Sequence, residues 1–138
     1  MTPEARHLEF HHIGVACRDV DAEVERLAAL GYLPEHPEFL DPVQGVRGRF
    51  MTGQSPRLEL LEPLHGVVDG VLAPWLNQGI KLYHLAYLTP DLAAEIERLR
   101  SGGAKLMVKP VPAVAFGGRE IAFLMLANGI LIELISRD

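Results

Sequence analysis

The sequence predicts an α+β fold built from two tandem βαβββ modules. Three observations predict it: an internal repeat, a matched alternation of β-rich and helical runs in each copy, and helix-capping residues at equivalent places. The repeat is seen when the chain is shifted by 72 residues. His12 then falls on His84, Asp19 on Asp91, and Gly31 on Gly103. Ala22-Glu23-Val24-Glu25-Arg26-Leu27 falls on Ala94-Glu95-Ile96-Glu97-Arg98-Leu99. Eight of the twenty positions from His12 to Gly31 are identical without a gap. Leu58-Glu59-Leu60 matches Ile132-Glu133-Leu134 at a shift of 74, so two residues were gained in a loop. A repeat of this kind marks one supersecondary unit written twice. Module one is read as residues 8–64, the connector as 65–80, and module two as 81–137, within a single domain of 1–138.

Each element follows from local pattern. Phe10 to Ala16 is a β-rich run. Asp19 precedes a helical stretch, Val20 to Leu30, with Val20, Val24, Leu27 and Leu30 at helical spacing. The Asp19 carboxylate can accept from the free amides of the first turn, and Gly31 can take a left-handed cap. Asp91, Ile96, Leu99 and Gly102 or Gly103 repeat the pattern. Three strands are expected after the first helix, at Tyr32–Glu35, Val46–Thr52 and Arg57–Glu62. Three more follow the second, at Lys105–Val108, Ile121–Leu126 and Leu131–Ile135. Gly53-Gln54-Ser55-Pro56 and Asn128-Gly129 read as turns. Val67 to Leu76 reads as a short connecting helix.

Composition bounds the function classes. A chain of 138 residues, 49% hydrophobic and 22% charged, has enough material for one globular core. The longest apolar run, Ile121 to Ala127, is far shorter than the roughly 20 residues of a membrane helix. Residues 1–6 lack the apolar stretch of a signal peptide. Cys17 stands alone, so neither an internal disulfide nor a CxxC metal site is expected, and the cytoplasm is the expected location. Thirteen basic residues against eighteen acidic give a net charge of −5, which argues against a nucleic-acid partner.

The candidate site comes from strand phase. Side chains alternate across a strand. Ile13 and Val15 suit a helix-covered face, which leaves His12 on the other. Leu58 and Leu60 likewise leave Glu59 on the uncovered face. In the second copy Leu85, Tyr87, Ile132 and Leu134 leave His84 and Glu133 there. Each module therefore offers one His and one Glu, and a twofold relation would turn the two faces into one shared groove. A carboxylate among apolar neighbours needs compensation, and a divalent cation would supply it. Two imidazoles and two carboxylates suit Zn, Ni, Co, Mn or Fe rather than Ca or Mg. His11 lacks a repeat partner and takes the helix-side phase, so it is assigned to structure. His7, His36 and His65 are assigned to the surface, Cys17 to the core, and Trp75 to a core or interface anchor.

At these residues the chain resembles the vicinal oxygen chelate superfamily, the glyoxalase/bleomycin-resistance/dioxygenase group. Its motifs look most like those of methylmalonyl-CoA epimerases. These motifs are His12-Ile13-Gly14-Val15-Ala16, Gln44-Gly45-Val46, Glu59-Leu60-Leu61-Glu62-Pro63-Leu64, Tyr83-His84-Leu85-Ala86 and Leu131-Ile132-Glu133-Leu134. The resemblance implies a glyoxalase-like fold, with the two modules forming a shared half-barrel metal-binding groove. It implies one divalent transition metal (Co, Ni, Zn or Mn) on His12, Glu59, His84 and Glu133. Glu59 and Glu133 are the implied catalytic carboxylates. It also implies an isomerase or epimerase acting through an enolate next to a carbonyl or thioester, a small-molecule substrate such as an acyl-CoA thioester, and a homodimer.

Three positions depart from the epimerase pattern. Some epimerases carry a glutamate, proposed as a base, where Gly48 stands here. Many carry HPK where Leu126-Ala127-Asn128 stands, and an aromatic pair where Glu25-Arg26 stands. Gln44, Arg49, Phe116 and Arg119 are the expected substrate-binding residues. Arg47, Arg57 and Lys109 are further basic groups available to an anionic coenzyme, and Phe116-Gly117-Gly118-Arg119 reads equally as a lid or an ordinary turn. A glyoxalase I-type lactoylglutathione lyase is the enzymatic alternative, and an isomerase of a biosynthetic intermediate is another. A metal-free binding or resistance protein is the non-enzymatic one.

Overall fold

The computed structural model describes residues 7–137. The expectation about a signal peptide in residues 1–6 lies outside the described residues. The chain divides into two compact units, one comprising His12–Tyr83 and the other the residues up to His11 together with those from His84 onward.

In the unit His12–Tyr83 the elements are β1 (Glu9–Ala16, beginning just before it), α1 (Val20–Ala28), β2 (Leu33–Pro34), β3 (Phe39–Asp41), β4 (Val46–Thr52), β5 (Leu58–Pro63) and α2 (Ala73–Gln78). The sheet runs β2-β4-β5-β1, with β3 paired to β4. β5 lies parallel to β1 and antiparallel to β4. The helix begins where expected: Asp19 is extended, and its carboxylate accepts from the Ala22 amide at 3.1 Å. Gly31 is left-handed, at φ 95°, but the helix has already ended at Ala28. α1 covers one sheet face. There Val20 and the half-buried Val24 and Leu27 meet Val15, Met51, Leu58 and Leu60 in one core cluster with Cys17.

This module is βαββββ rather than the expected βαβββ. Phe39–Asp41 was not anticipated, because three residues carry too little alternation to stand out. Its side chains explain it: Phe39 pairs with Gly48, and a bare glycine leaves room for the ring to lie across the neighbouring strand. The connecting helix is shorter than expected, Ala73–Gln78, with Pro74 in its first turn and a left-handed Gly79 ending it.

The other unit holds β6 (Leu82–Thr89, entering from Tyr83), α3 (Leu92–Ser101), β7 (Lys105–Pro112), a 3-10 turn (Val114–Phe116), β8 (Glu120–Met125) and β9 (Leu131–Ser136). Its order is β6-β9-β8-β7, with β6 and β9 parallel and the rest antiparallel. The expected βαβββ grammar is present. β7 runs four residues further than expected, through Pro110 and Pro112, as an edge strand whose pairing to β8 is interrupted by register shifts. Proline lacks the ladder amide, which an edge position tolerates. Asp91 caps α3 through the Ala94 amide at 3.1 Å. Leu92 and Ile96 then pack on Ala122, Leu124, Ile132 and Leu134.

Candidate functional site

With α1 and α3 each covering one face, the opposite faces carry the candidate residues. Gly14 is in register with Glu59, so His12, two residues before Gly14, projects on the same face as Glu59. His12 Nε2 lies 3.2 Å from Glu59 Oε1, and both residues are buried. The other unit repeats the arrangement. Ala86 is in register with Glu133, and His84 Nε2 lies 3.2 Å from Glu133 Oε1, again with both residues buried. The expected sharing of a face within each module is therefore observed, twice, with the same nitrogen and the same separation.

The surroundings of each pair are apolar. On β1, β4 and β5 the same face carries Gly14, Ala16, Val46, Gly48, Phe50 and Leu61. On β6, β8 and β9 it carries Ala86, Ile121, Phe123, Leu131 and Ile135 among others. Each pair is thus the only ionisable chemistry projecting from those strands on that face. The donor types are those that hold a divalent transition metal, each residue offering one ligand atom.

Two residues close to the pairs had not been anticipated. Phe50 is directly opposite Glu59 and Phe123 directly opposite Glu133. Each ring stands nearly perpendicular to the histidine of its own pair. They sit 73 positions apart, and so fall between the two shifts that reveal the repeat. In the sequence each is only an aromatic in the strand before the glutamate strand; the register that sets it opposite the glutamate comes from the strand pairing.

The four expected substrate-binding residues are placed differently. Gln44 folds back on Asp41, donating from Nε2 at 2.9 Å, in a turn where the Asp41 carboxylate also accepts the Val43 and Gln44 amides. Arg49 is in register with Leu60, on the face opposite Glu59, and its guanidinium reaches Glu35 O and the His36 ring. Phe116 is buried, its ring edge-on to His11 at 5.5 Å. Arg119 donates to Phe116 O at 3.1 Å and Arg137 O at 2.9 Å. The Phe116-Gly117-Gly118-Arg119 segment is a hydrogen-bonded turn, with both glycines left-handed.

Two of the other basic candidates are also engaged. Arg47 contacts Glu62 (2.7 Å), Asp21 (3.0 Å) and Glu38 (2.6 Å), and its guanidinium is held protonated well above its ordinary range, chiefly by the Glu38 and Asp21 hydrogen bonds. Arg57 is held by both oxygens of Glu35 and lies 4.5 Å over the Phe50 ring. His11 is outside the pairs, and His7, His36 and His65 are exposed. Trp75 packs edge-on against Tyr83 at 4.8 Å, as an anchor of the connector.

Comparison with known proteins agrees with this fold. Residues 11–123 match the profile of the Glyoxalase/Bleomycin resistance protein/Dioxygenase superfamily. The chain is 29% identical over 129 residues to an ethylmalonyl-CoA/methylmalonyl-CoA epimerase of Cereibacter sphaeroides, covering 90% of this chain and 94% of that one. It is similar to the crystal structure of methylmalonyl-CoA epimerase from Mycobacterium tuberculosis, with a TM-score of 0.77 and 29% identity over 94% of this chain and 87% of that one. A variant of the Streptomyces coelicolor epimerase in complex with 2-nitronate-propionyl-CoA gives a TM-score of 0.74 and 31% identity over 92% and 95%. With its mixed sheets, few helices and a profile match spanning most of its length, the chain belongs to the Glyoxalase/Bleomycin resistance protein/Dioxygenase superfamily.

Proposed function

We propose that this protein is a metal-dependent epimerase or isomerase that moves a proton at a carbon next to a thioester carbonyl, as a methylmalonyl-CoA epimerase does. One observation carries the reading: the same buried His–Glu pair, at the same 3.2 Å separation, occurs in both halves of a repeated chain. In this reading modules 8–64 and 81–137 pool their pairs, so that His12, Glu59, His84 and Glu133 hold one Co, Ni, Zn or Mn ion. The bound cation would act as a Lewis acid on the substrate carbonyl and so acidify the adjacent C–H.

The chain's own carboxylates then carry the proton. Glu59 and Glu133 are the acidic groups projecting on the apolar faces described above, and position 48 offers no side chain to assist. One carboxylate removes the α-proton and the other returns one from the opposite side, inverting the centre. The apolar walls keep water from competing for the enolate. An acyl-CoA thioester is the proposed substrate class, supported by the epimerase relatives. A homodimer in the cytoplasm is proposed with it; among the described residues no helix is long and apolar enough to cross a membrane.

Elemental analysis of protein purified without chelator or histidine tag is the first test. About one transition metal per chain is expected. Protein loaded with that metal should interconvert the epimers of methylmalonyl-CoA with uptake of deuterium from solvent, and Glu133→Gln should abolish the interconversion, leaving exchange at most in the one epimer that Glu59 faces. Full interconversion of the epimers by Glu133→Gln would remove Glu133 from the mechanism. No uptake of Co, Ni, Zn or Mn would favour a metal-free binding protein. Turnover of the glutathione–methylglyoxal hemithioacetal instead would identify a lactoylglutathione lyase.

A further inference from the structure

The two histidines are each braced by an aromatic ring in the same way. The Phe50 ring centroid lies 5.3 Å from that of His12, with the ring planes 79° apart. The Phe123 ring centroid lies 5.2 Å from that of His84, also at 79°. Edge-to-face packing is the favoured arrangement of two rings, at centroid separations of about 4.5–7 Å. Both phenylalanines are buried, and both stand directly across the strand ladder from the glutamate of the pair. One rigid side chain thus touches the imidazole while facing the carboxylate.

Of the two side-chain torsions of a strand histidine, one is soft. χ1 is restricted by the backbone, but the ring torsion χ2 is broad. Turning χ2 by part of a turn would swing the imidazole out of its plane and carry Nε2 away from the glutamate. A perpendicular ring packed at van der Waals distance opposes that turn. We propose that Phe50 and Phe123 are positioning residues that fix the imidazole planes of His12 and His84, so that Nε2 of each is presented beside its glutamate before any ion arrives.

Phe50 is itself held. Phe39 lies 5.8 Å away at 42°, and Arg57 sits 4.5 Å over the ring, tied by Glu35 at 3.1 and 2.8 Å. His12 is therefore the end of a packed series running from Phe39 through Phe50. Local strand propensity alone does not account for phenylalanine at both places. Leucine or isoleucine would fill a buried strand position as readily, without presenting a flat edge to the imidazole.

The inference rests on the metal reading for its consequence, though not for its geometry. The variants are Phe50→Leu, Phe123→Leu, the ring-retaining Phe50→Tyr and Phe123→Tyr, and the control Leu124→Ala, a buried change on the helix-covered face. Cobalt affinity by competition titration and the Co(II) ligand-field spectrum are read beside the melting temperature. Each leucine variant should weaken Co(II) binding about tenfold, the lower end for loss of a group orienting a ligand, and should shift the absorption bands. The tyrosine variants should stay near wild type, and Leu124→Ala should lose thermal stability with its affinity unchanged. Folded leucine variants with wild-type affinity and spectrum would overturn the proposal, as would equal loss in the leucine and tyrosine variants.

If leucine prevents folding, Phe50→Met and Phe123→Met keep the volume with a flexible chain and are read the same way. If wild-type protein takes up none of Co, Ni, Zn and Mn, the metal reading fails, and the metal-free ¹⁵N spectrum of the histidine side chains decides the inference. One fixed ring state for His12 and His84 that becomes averaged on losing the matching phenylalanine sustains it. Averaging already present in wild type overturns it.

Discussion

Adding a single methyl at Gly48 probes how closely the aromatic wall beside His12 and Glu59 is packed. A Cβ there would lie 2.2 Å from Cζ and 2.5 Å from Cε2 of Phe39, and 2.8 Å from Cδ2 of Leu61. Carbon atoms rest at about 3.5–4.0 Å, so the ring must retreat by roughly 1.3 Å (3.5 less 2.2) or tilt away. Leu61 can turn its terminal methyl, but Phe39 is a flat ring already in contact with Phe50. Overpacking of this kind costs about 1–3 kcal/mol. Alanine is otherwise better than glycine within a strand by about 0.5–1 kcal/mol, so the net loss for Gly48→Ala should be roughly 1–2 kcal/mol.

Phe39→Ala removes the obstacle. In that background the same methyl should cost nothing or stabilise slightly, which gives a coupling of about 1 kcal/mol or more between the two positions. Urea unfolding of the four proteins measures it, provided the m value is the same in all. A coupling within about 0.3 kcal/mol of zero, the scatter of independent sites, would refute the reasoning. So would a Gly48→Ala protein more stable than wild type. Since Phe39 adjoins Phe50 and Phe50 adjoins His12, the same variant also asks whether the wall transmits strain to the ligand pair.

Further outcomes follow from single groups. Cys17 is buried, and that burial pushes its thiol up to about 12, with Lys81 partly opposing the rise. The native protein should therefore react with a thiol-specific disulfide reagent at pH 8 only as fast as it unfolds; rapid stoichiometric labelling would contradict the burial. The stability tied to the neutral thiol is complete below about pH 9, the ordinary value, and is lost as pH rises toward 12, measurable as a falling urea midpoint. Asp19→Ala and Asp91→Ala each remove a carboxylate that accepts a first-turn amide, and each should cost about 1 kcal/mol by the same unfolding assay. Asparagine at either position should recover most of the loss, since it caps as well as aspartate.

The features legible in the sequence are those set by neighbours along the chain. A capping aspartate acts on an amide three residues away, so both helix starts could be read directly. Strand alternation has a period of two, so the helix-covered residues could be named, and His12, Glu59, His84 and Glu133 remained on the other face. The repeat made that residue choice twice over, and the motifs around it were enough to identify the superfamily.

What lay beyond the sequence depends on which strands become neighbours and how far each side chain reaches across them. Phe50 and Phe123 meet their histidines only because β4 and β8 pair with the glutamate strands in a particular register, which no spacing along the chain encodes. β3 forms because a glycine on the adjacent strand makes room for Phe39. Arg47, Arg49, Arg57 and Arg119 read in sequence as free cations for an anionic ligand. In the folded protein the reach of a guanidinium lets each find carboxylates, carbonyls or a histidine ring contributed by distant segments. Periodicity and capping are properties of the local backbone, whereas ring packing and ion pairing are properties of the strand pairing that only the tertiary structure decides.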